Sequence, residues 1–261
     1  MTTASDGQTS SWIEAWPAAG DPAPQARIPS LSVIIAARNE AARLPSLLAD
    51  LAMAPQLVRE VVVADGGSGD GTDELAALAG AEVLRTSPGR GWQLASGVAA
   101  SQGSWLLLLH ADVRLPACWA ATIARAISAG PAMAWAFRLA IDGDDPALRW
   151  VEWAVLLRST LGQLPYGDQG LLLSRPLYER AGGMAPLPLM EDLDFVLSLR
   201  RLARIGCLSS ALLADGRRWR RLGVWQTVWA NARLRHHWRQ GEAPEILAGR
   251  YYATGMECAP G

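Results

Sequence analysis

Short continuous apolar runs alternate along this chain with segments whose leucines and alanines return every three or four residues. LSVIIAA (31–37) has the β-branched, unbroken character of a buried strand, and in the RNEAARLPSLLADLA that follows, Leu44, Leu47, Leu48 and Leu51 recur at helical spacing. EVVVADGG (60–67) and TDELAALAG repeat the plan of strand, glycine turn and helix, with Asp73 and Glu74 in the first helical turn, where the helix dipole favours carboxylates. AEVLRTS reads as a third strand, GWQLASGVAASQG as a small-residue helix and SWLLLLH as a fourth strand. CWAATIARAIS predicts a helix, WAFRLAI a strand, and an apolar helix lies around 147–161. PYGDQGLLLSRPLYERAGGM then reads as a loop, a short strand and a helix stopped by Gly182 and Gly183, and PLPLMEDLDF leads into a helix with Phe195, Leu199 and Leu202 on one face. Strands and helices joined by short links predict an α/β fold whose parallel sheet carries helices on both faces. In such sheets ligands bind outside the carboxyl ends of the strands.

Composition sharpens the boundaries. Residues 1–29 are rich in Ser, Ala, Pro and Gly without a period and read as a flexible leader, 30–213 as the α/β domain, and 214–261 as an Arg/Trp-rich helical extension. Between Ala214 and Arg239 stand seven arginines, two histidines and four tryptophans against one acid, Asp215. All 24 basic residues are arginines, which excludes chemistry needing a Schiff-base or phosphate-gripping lysine. A net charge of -1 with both signs interspersed gives no bias towards nucleic acid. Cys118, Cys207 and Cys258 are far apart and form no CxxC, so a cytoplasmic location fits better than an oxidising one. The first residues lack the basic and apolar regions of a secretion signal, and no apolar run approaches the roughly 20 residues of a spanning helix.

Each predicted strand ends in something polar: Arg38-Asn39-Glu40 after the first, Asp65 after the second, His110 and Asp112 after the fourth. Single polar residues at strand ends are commonly caps meeting water, but three sets at three strand ends point to one cleft. DGGSGDGT (65–72) comes close to a dinucleotide-binding fingerprint, yet it lacks the final glycine and puts Asp70 where a pyrophosphate would approach. Asp65 is better read as accepting hydrogen bonds from a nucleobase or ribose while the glycines make the turn.

LSVIIAARNE, VVVADGGSGDGT, GRGWQLASG, LLLLHAD and MEDLDF stand in the order and spacing of the family 2 glycosyltransferases, which the chain resembles from about Ser30 to Arg204. The resemblance implies a GT-A fold, Rossmann-like with a mostly parallel sheet, and inverting transfer of a sugar from a nucleotide-diphosphate sugar to a hydroxyl acceptor. It implies that Asp65 contacts the base, that Ala36, Ala37, Arg38 and Glu40 line the donor pocket, and that Arg90 lies near the base or diphosphate. His110-Ala111-Asp112 takes the place of the family's DxD, so Asp112, with His110 beside it, would hold a Mg²⁺ or Mn²⁺ on the diphosphate. Glu191-Asp192 matches the family's ED pair and makes Asp192 the expected catalytic base. PYGDQG, LPLMEDLDF and GRRWRRLG are also similar to a narrower bacterial subgroup linked to arsenosugar biosynthesis. The chain departs from the pattern at Gly66, where the family has a second Asp, at Ala95 in place of a common Asn, and at His110 in place of the first Asp of DxD.

The chemistry asks for the same groups. A departing nucleoside diphosphate needs its growing charge neutralised by a cation on hard oxygen ligands or by arginines, and the acceptor hydroxyl needs a carboxylate to take its proton. Glu191, Asp192 and Asp194 at a helix start would also serve as capping acids. Asp168 and Gln169 in a turn, and Arg218 with Trp219, are the expected acceptor contacts, reading equally as an ordinary polar turn in the first case. Leu222, Trp225, Trp229 and Ala232 form one helical stripe, which either packs on the domain, the commoner fate, or lies in an anionic membrane interface at the inner face of the membrane. Two other functions remain compatible: a sugar nucleotidyltransferase, disfavoured because its glycine-rich Arg/Lys loop reads AARNE here, and a non-catalytic nucleotide-binding or membrane-associated assembly protein, disfavoured by retention of Asp112 and Asp192.

Overall fold

The computed structural model describes residues 30–253; the leader and the last eight residues lie outside them. Eight strands form one sheet in the order β3-β2-β1-β4-β7-β6-β8-β5, where β1 is Leu31–Ala37, β2 Val58–Asp65, β3 Glu82–Arg85, β4 Trp105–His110, β5 Val113–Arg114, β6 Ala134–Ile141, β7 Leu171–Ser174 and β8 Ile205–Ala214. β1 pairs in parallel with β2 and β4, β2 with β3, and β6 with β8, while β7 runs antiparallel to both β4 and β6. Every residue of β1 is buried, as its unbroken apolar run requires of a central strand covered on both faces. A leucine so buried contributes roughly 1.5–3 kcal/mol.

The helices are α1 (Leu44–Ala52), α2 (Thr72–Leu78), α3 (Arg90–Ala100), α4 (Trp119–Ser128), α5 (Ala147–Leu161), α6 (Arg175–Arg180), α7 (Glu191–Leu199), α8 (Arg217–Leu222), α9 (Val224–Arg239) and α10 (Pro244–Ala253). Leu44, Leu47, Leu48 and Leu51 face the core as their spacing predicts. The helix starts only at Leu44, with Pro45 in its first turn, so Arg38–Arg43 remains an irregular loop above the sheet. α7 ends at Leu199, which leaves Leu202 half-exposed beyond it while Phe195 and Leu199 are buried.

Two features of the topology place the site. β1, β2 and β4 are in register at their carboxyl ends, Ala36 opposite His110 and Ala37 opposite Asp65. After His110 the chain crosses the curled sheet in two residues and joins β8 as β5, so the Asp215 N–H donates to the Asp112 carbonyl at 3.1 Å. The chain leaves the core at His110-Ala111-Asp112 because it is passing from the middle strand to the last one. The stripe Leu222–Ala232 is broken at Gly223, whose φ of 82° ends α8 and starts α9. Trp225 and Trp229 are 59% and 70% exposed, so packing on the domain, the fate expected for them, is not what the fold does.

Candidate active site

Two adjoining cavities open at the carboxyl ends of β1, β4 and β8. The first, about 370 Å³, is lined by Ala36, Ala37, Arg38, Asn39 and Glu40 after β1, by Pro88, Gly89, Arg90 and Gln93 around the start of α3, and by Arg43, Pro188, Arg217, Arg218 and Arg221. The second, about 190 Å³, holds Asp168, Glu191, Asp192, Tyr166, Trp219, Asn231, Arg235 and Tyr251. Arg90, His110, Asp112, Arg217 and Arg218 belong to both and form the boundary between them.

The first cavity is lined by six arginines and two carboxylates, and the acids are already engaged. Arg217 donates from both terminal nitrogens to Glu40, one at 2.9 Å, and reaches Asp112 Oδ2 at 3.3 Å. Arg43 donates to Asp215 and lies 3.4 Å from Glu40. Burial pushes the Glu40 carboxyl up, an effect the Arg217 hydrogen bond partly offsets; that same bond holds the Arg217 guanidinium more firmly protonated. The remaining positive charge suits an anion with several oxygens. The Nε of Arg38 is buried without a hydrogen-bond partner, a donor that a ligand's oxygen or ring nitrogen would satisfy. Arg90 can stand here because residue 91 is glycine: a Cβ there would lie 2.4 Å from the Ala185 carbonyl oxygen, so only glycine lets the first turn of α3 pass the chain before α7.

In the second cavity, Met190 adopts a left-handed conformation, φ 68°, and turns the chain into α7 so that Asp192 faces the boundary. Asp192 Oδ2 accepts the Gly167 N–H at 2.8 Å and Oδ1 accepts the Leu193 N–H at 2.7 Å. Glu191, beside it, is buried at 3% exposure. A Cβ on Gly167 would lie 2.7 Å from Cε1 and Nε2 of His110 and 3.5 Å from Asp192 Oδ2, so the imidazole edge, the glycine backbone and the carboxylate are stacked in one column. Burial pushes the Asp168 carboxyl up, and its Oδ1 has no hydrogen-bond partner. Arg218 is held by Asn231 and, at 2.8 Å, by the Tyr251 hydroxyl, which ties α8 to α9 and α10 across the mouth.

Three residues expected in the site line neither cavity. Asp65 is 2% exposed and closes its own turn: Oδ2 accepts the N–H groups of Gly67 and Ser68 at 3.0 and 2.9 Å, and Oδ1 the Ser68 hydroxyl. It shapes the wall of the first cavity without lining it. Ala111 is 2% exposed in the apolar core, because successive residues leaving a strand point to opposite faces and His110 and Asp112 take the cleft side. Gln169 is fully buried, its Oε1 accepting from Arg158 at 3.1 Å and Ser159 at 3.0 Å and its Nε2 donating to the Phe137 carbonyl at 2.9 Å; its amide anchors the turn beneath Asp168. His110 faces the Gly167 turn, and among the described residues no group of three or more His, Cys, Asp or Glu side chains could hold a metal ion. Any cation held here would therefore rest on one or two protein ligands together with oxygens of the donor.

Arg217, Arg43, Tyr166, Arg235 and Tyr251 are site residues that the strand-end reading passes over. Arg217 and Arg218 are adjacent in GRRWRR, and sequence alone does not distinguish which one meets Glu40 and Asp112. The other signal is the low count of acids around Asp215, which marks the segment as cationic without showing that it folds back.

Comparison with known proteins identifies the family and the fold. The model of the family described as glycosyl transferase family 2 matches residues 32–187. Among solved structures, glucosyl-3-phosphoglycerate synthase from Mycobacterium tuberculosis, in complex with Mn²⁺, uridine diphosphate and glucosyl-3-phosphoglycerate, superposes with a TM-score of 0.51 at 21% identity, covering 71% of this chain and 70% of that one. S. aureus TarS, residues 1–349, gives a TM-score of 0.59 at 18% identity over 72% and 61% of the two chains. A TPR repeat-containing protein of Synechococcus elongatus is 36% identical over 92 residues, which is 34% of this chain and 22% of that protein's length. The curled α/β sheet is shared with these GT-A structures, and the chain belongs to glycosyl transferase family 2.

Proposed function

We propose that this protein transfers a sugar, with inversion, from a nucleotide-diphosphate sugar in the first cavity to a hydroxyl acceptor in the second. The observation that carries this reading is the division of labour between the cavities. Arg38, Arg43 and Arg221 line only the first, Asp168 and Asp192 line only the second, and Arg90, His110, Asp112, Arg217 and Arg218 stand where the two meet. The acceptor oxygen would attack the anomeric carbon as the bond from that carbon to the diphosphate oxygen breaks, with the electron pair leaving on the nucleoside diphosphate. Asp192 would take the hydroxyl proton, and Arg90, Arg217 and Arg218 face the position of the departing phosphates. Asp112 would hold Mg²⁺ or Mn²⁺ together with the donor's phosphate oxygens, since such cations bound with substrate phosphates need only one or two carboxylates. When bound, the cation adds to the charge stabilisation of the leaving group. The M. tuberculosis synthase, solved with Mn²⁺ and UDP-glucose, supports a uridine nucleotide and a cation of this kind.

The second cavity is small and walled by Tyr166, Leu189, Trp219 and Tyr251. This supports a small acceptor, as in arsenosugar or other small-glycoside biosynthesis, over a polymer. Residues 30–213 then form the transferase domain, and the extension from 214 closes its mouth through Arg217, Arg218 and Tyr251. The test is turnover with a panel of nucleotide sugars, with nucleoside diphosphate release and the anomeric configuration of the product followed by proton NMR. One donor class should release nucleoside diphosphate and give a product of opposite anomeric configuration. Retained configuration would remove Asp192 from the role of base, and no release from any donor would remove the transferase reading.

A further inference from the structure

Helix α5 carries an apolar face that nothing in the described fold covers. Trp150, Trp153, Leu157 and Leu161 are 66%, 56%, 36% and 81% exposed, and at about 100° per residue they fall on one side of the helix. The opposite side, Leu148, Val155 and Ser159, is buried. α9 lies alongside. Val224 packs with Leu148, Val151 and Val155 near the start of α5, and Arg235, one turn before the end of α9, lies over Tyr166, the ring that also stacks on Arg158 from the last turn of α5. The two helices therefore run side by side in the same direction. By the same angular count, Trp225 and Trp229 lie next to the stripe of α9 that faces α5, on its solvent side, as Trp150 and Leu157 lie next to the stripe of α5 that faces α9. The two exposed stripes lie on the solvent side of the helix pair.

We propose that this α5–α9 face docks the protein on an anionic lipid surface, with the tryptophans entering the headgroup layer. Three observations select lipid over another occupant. The large exposed side chains are mostly tryptophans, whose apolar ring and polar N–H suit the boundary between acyl chains and headgroups. An exposed arginine flanks the face: Arg233 lies one turn after Trp229, whereas Arg149, one turn before Trp153, is paired with Glu152 at 3.2 Å. Neither stripe presents a carboxylate. Glu152 is turned inward, accepting the Ile141 N–H at 2.6 Å, and the exposed Asp142, Asp144 and Asp145 precede α5, Asp142 being paired with Arg220 at 3.1 Å. Neither cleft cavity is lined by any of the six residues, so the face lies apart from the cleft. Among the described residues no helix is long and apolar enough to cross a membrane, which makes this a peripheral contact.

The full chain should float with phosphatidylcholine vesicles containing phosphatidylglycerol and stay behind with pure phosphatidylcholine. The pairs Trp150→Ser with Trp153→Ser, and Trp225→Ser with Trp229→Ser, should each weaken partitioning by about tenfold or more at unchanged melting temperature, since each removes two large apolar anchors. Arg233→Gln should weaken it less and blunt its salt dependence. Failure of the full chain to float would overturn the proposal, as would flotation that both double variants leave intact. A wild-type dimer that the same variants disperse, with no vesicle binding, would assign the face to a second copy of the chain. None of these readouts depends on sugar transfer.

Discussion

Asp192→Asn is expected to lower transfer by about 10² to 10⁴-fold, the range a positioned proton acceptor supplies, while leaving donor affinity unchanged. The asparagine amide is almost the size of the carboxylate, and its oxygen can still accept the Gly167 N–H that Asp192 Oδ2 now accepts at 2.8 Å. The column of His110, Gly167 and residue 192 should therefore keep its packing, and melting temperature should fall only as far as the loss of one hydrogen bond at the start of α7, about 1 kcal/mol, requires. Besides the ability to take a proton, the asparagine loses only the bond from the Leu193 N–H, which Oδ1 accepts at 2.7 Å, because its amide nitrogen cannot accept it. Asp192 lines the second cavity and not the first, which is why the nucleotide should bind as before. Initial rates with saturating donor, paired with a nucleotide titration of the same variant, check both halves. Undiminished transfer would place the base elsewhere, and equal loss of both would make Asp192 a structural residue.

The second large effect is expected at Arg217. Arg217→Gln should reduce kcat/KM by about 10² to 10³-fold, as removal of a single preorganised donor at a developing oxyanion does. It should also lower stability by about 1–3 kcal/mol, because Glu40, 8% exposed, keeps only the longer contact to Arg43. A second consequence separates a role in the cleft from a merely structural one. The Arg217 guanidinium lies 3.3 Å from Asp112 Oδ2, so any cation drawn to that carboxylate meets a like charge. Removing it should tighten Mn²⁺ binding to the protein alone, read by electron paramagnetic resonance of free Mn²⁺, while catalysis falls. Denaturant unfolding, Mn²⁺ titration and steady-state rates on one variant give the three numbers. A loss of stability with the other two unchanged would confine Arg217 to holding the loop after β1.

The core was legible because its strands are buried on both faces, so LSVIIAA and WLLLLH need no partner to be recognised. The start of the first helix was less legible: RNEAARLPSLLADLA carries helical spacing, but the helix begins only at Leu44, with Pro45 in its first turn, and leaves Arg38–Arg43 as a loop. Orientation within the site was harder to read. Asp65 and Gln169 occupy positions next to the cleft, but both satisfy their polar atoms inside the protein, and a hydrogen bond between Gln169 and the Phe137 carbonyl joins residues 32 positions apart. No local pattern records such a contact. Ala111 could have been excluded, since strand alternation puts it opposite His110 and Asp112. The tryptophans of α9 show the converse limit: helical period says which side chains share a face, but whether anything covers that face depends on where α5 lies. Arg217 belongs with these, because its partners Glu40 and Asp112 are brought to it by the crossing from β4 to β5.

The central claim is that the arginine-lined cavity at the ends of β1 and β4 receives a nucleotide-diphosphate sugar. Calorimetric titration of nucleoside diphosphates and their sugars, with Mn²⁺ present, into the wild-type chain and into an Arg38→Ala, Arg90→Ala variant tests it most directly. The wild type should bind one nucleotide class in the micromolar to millimolar range usual for enzyme substrates, and the variant should bind it at least about tenfold more weakly. Absence of binding by every nucleotide, or binding that the variant retains in full, would contradict the claim.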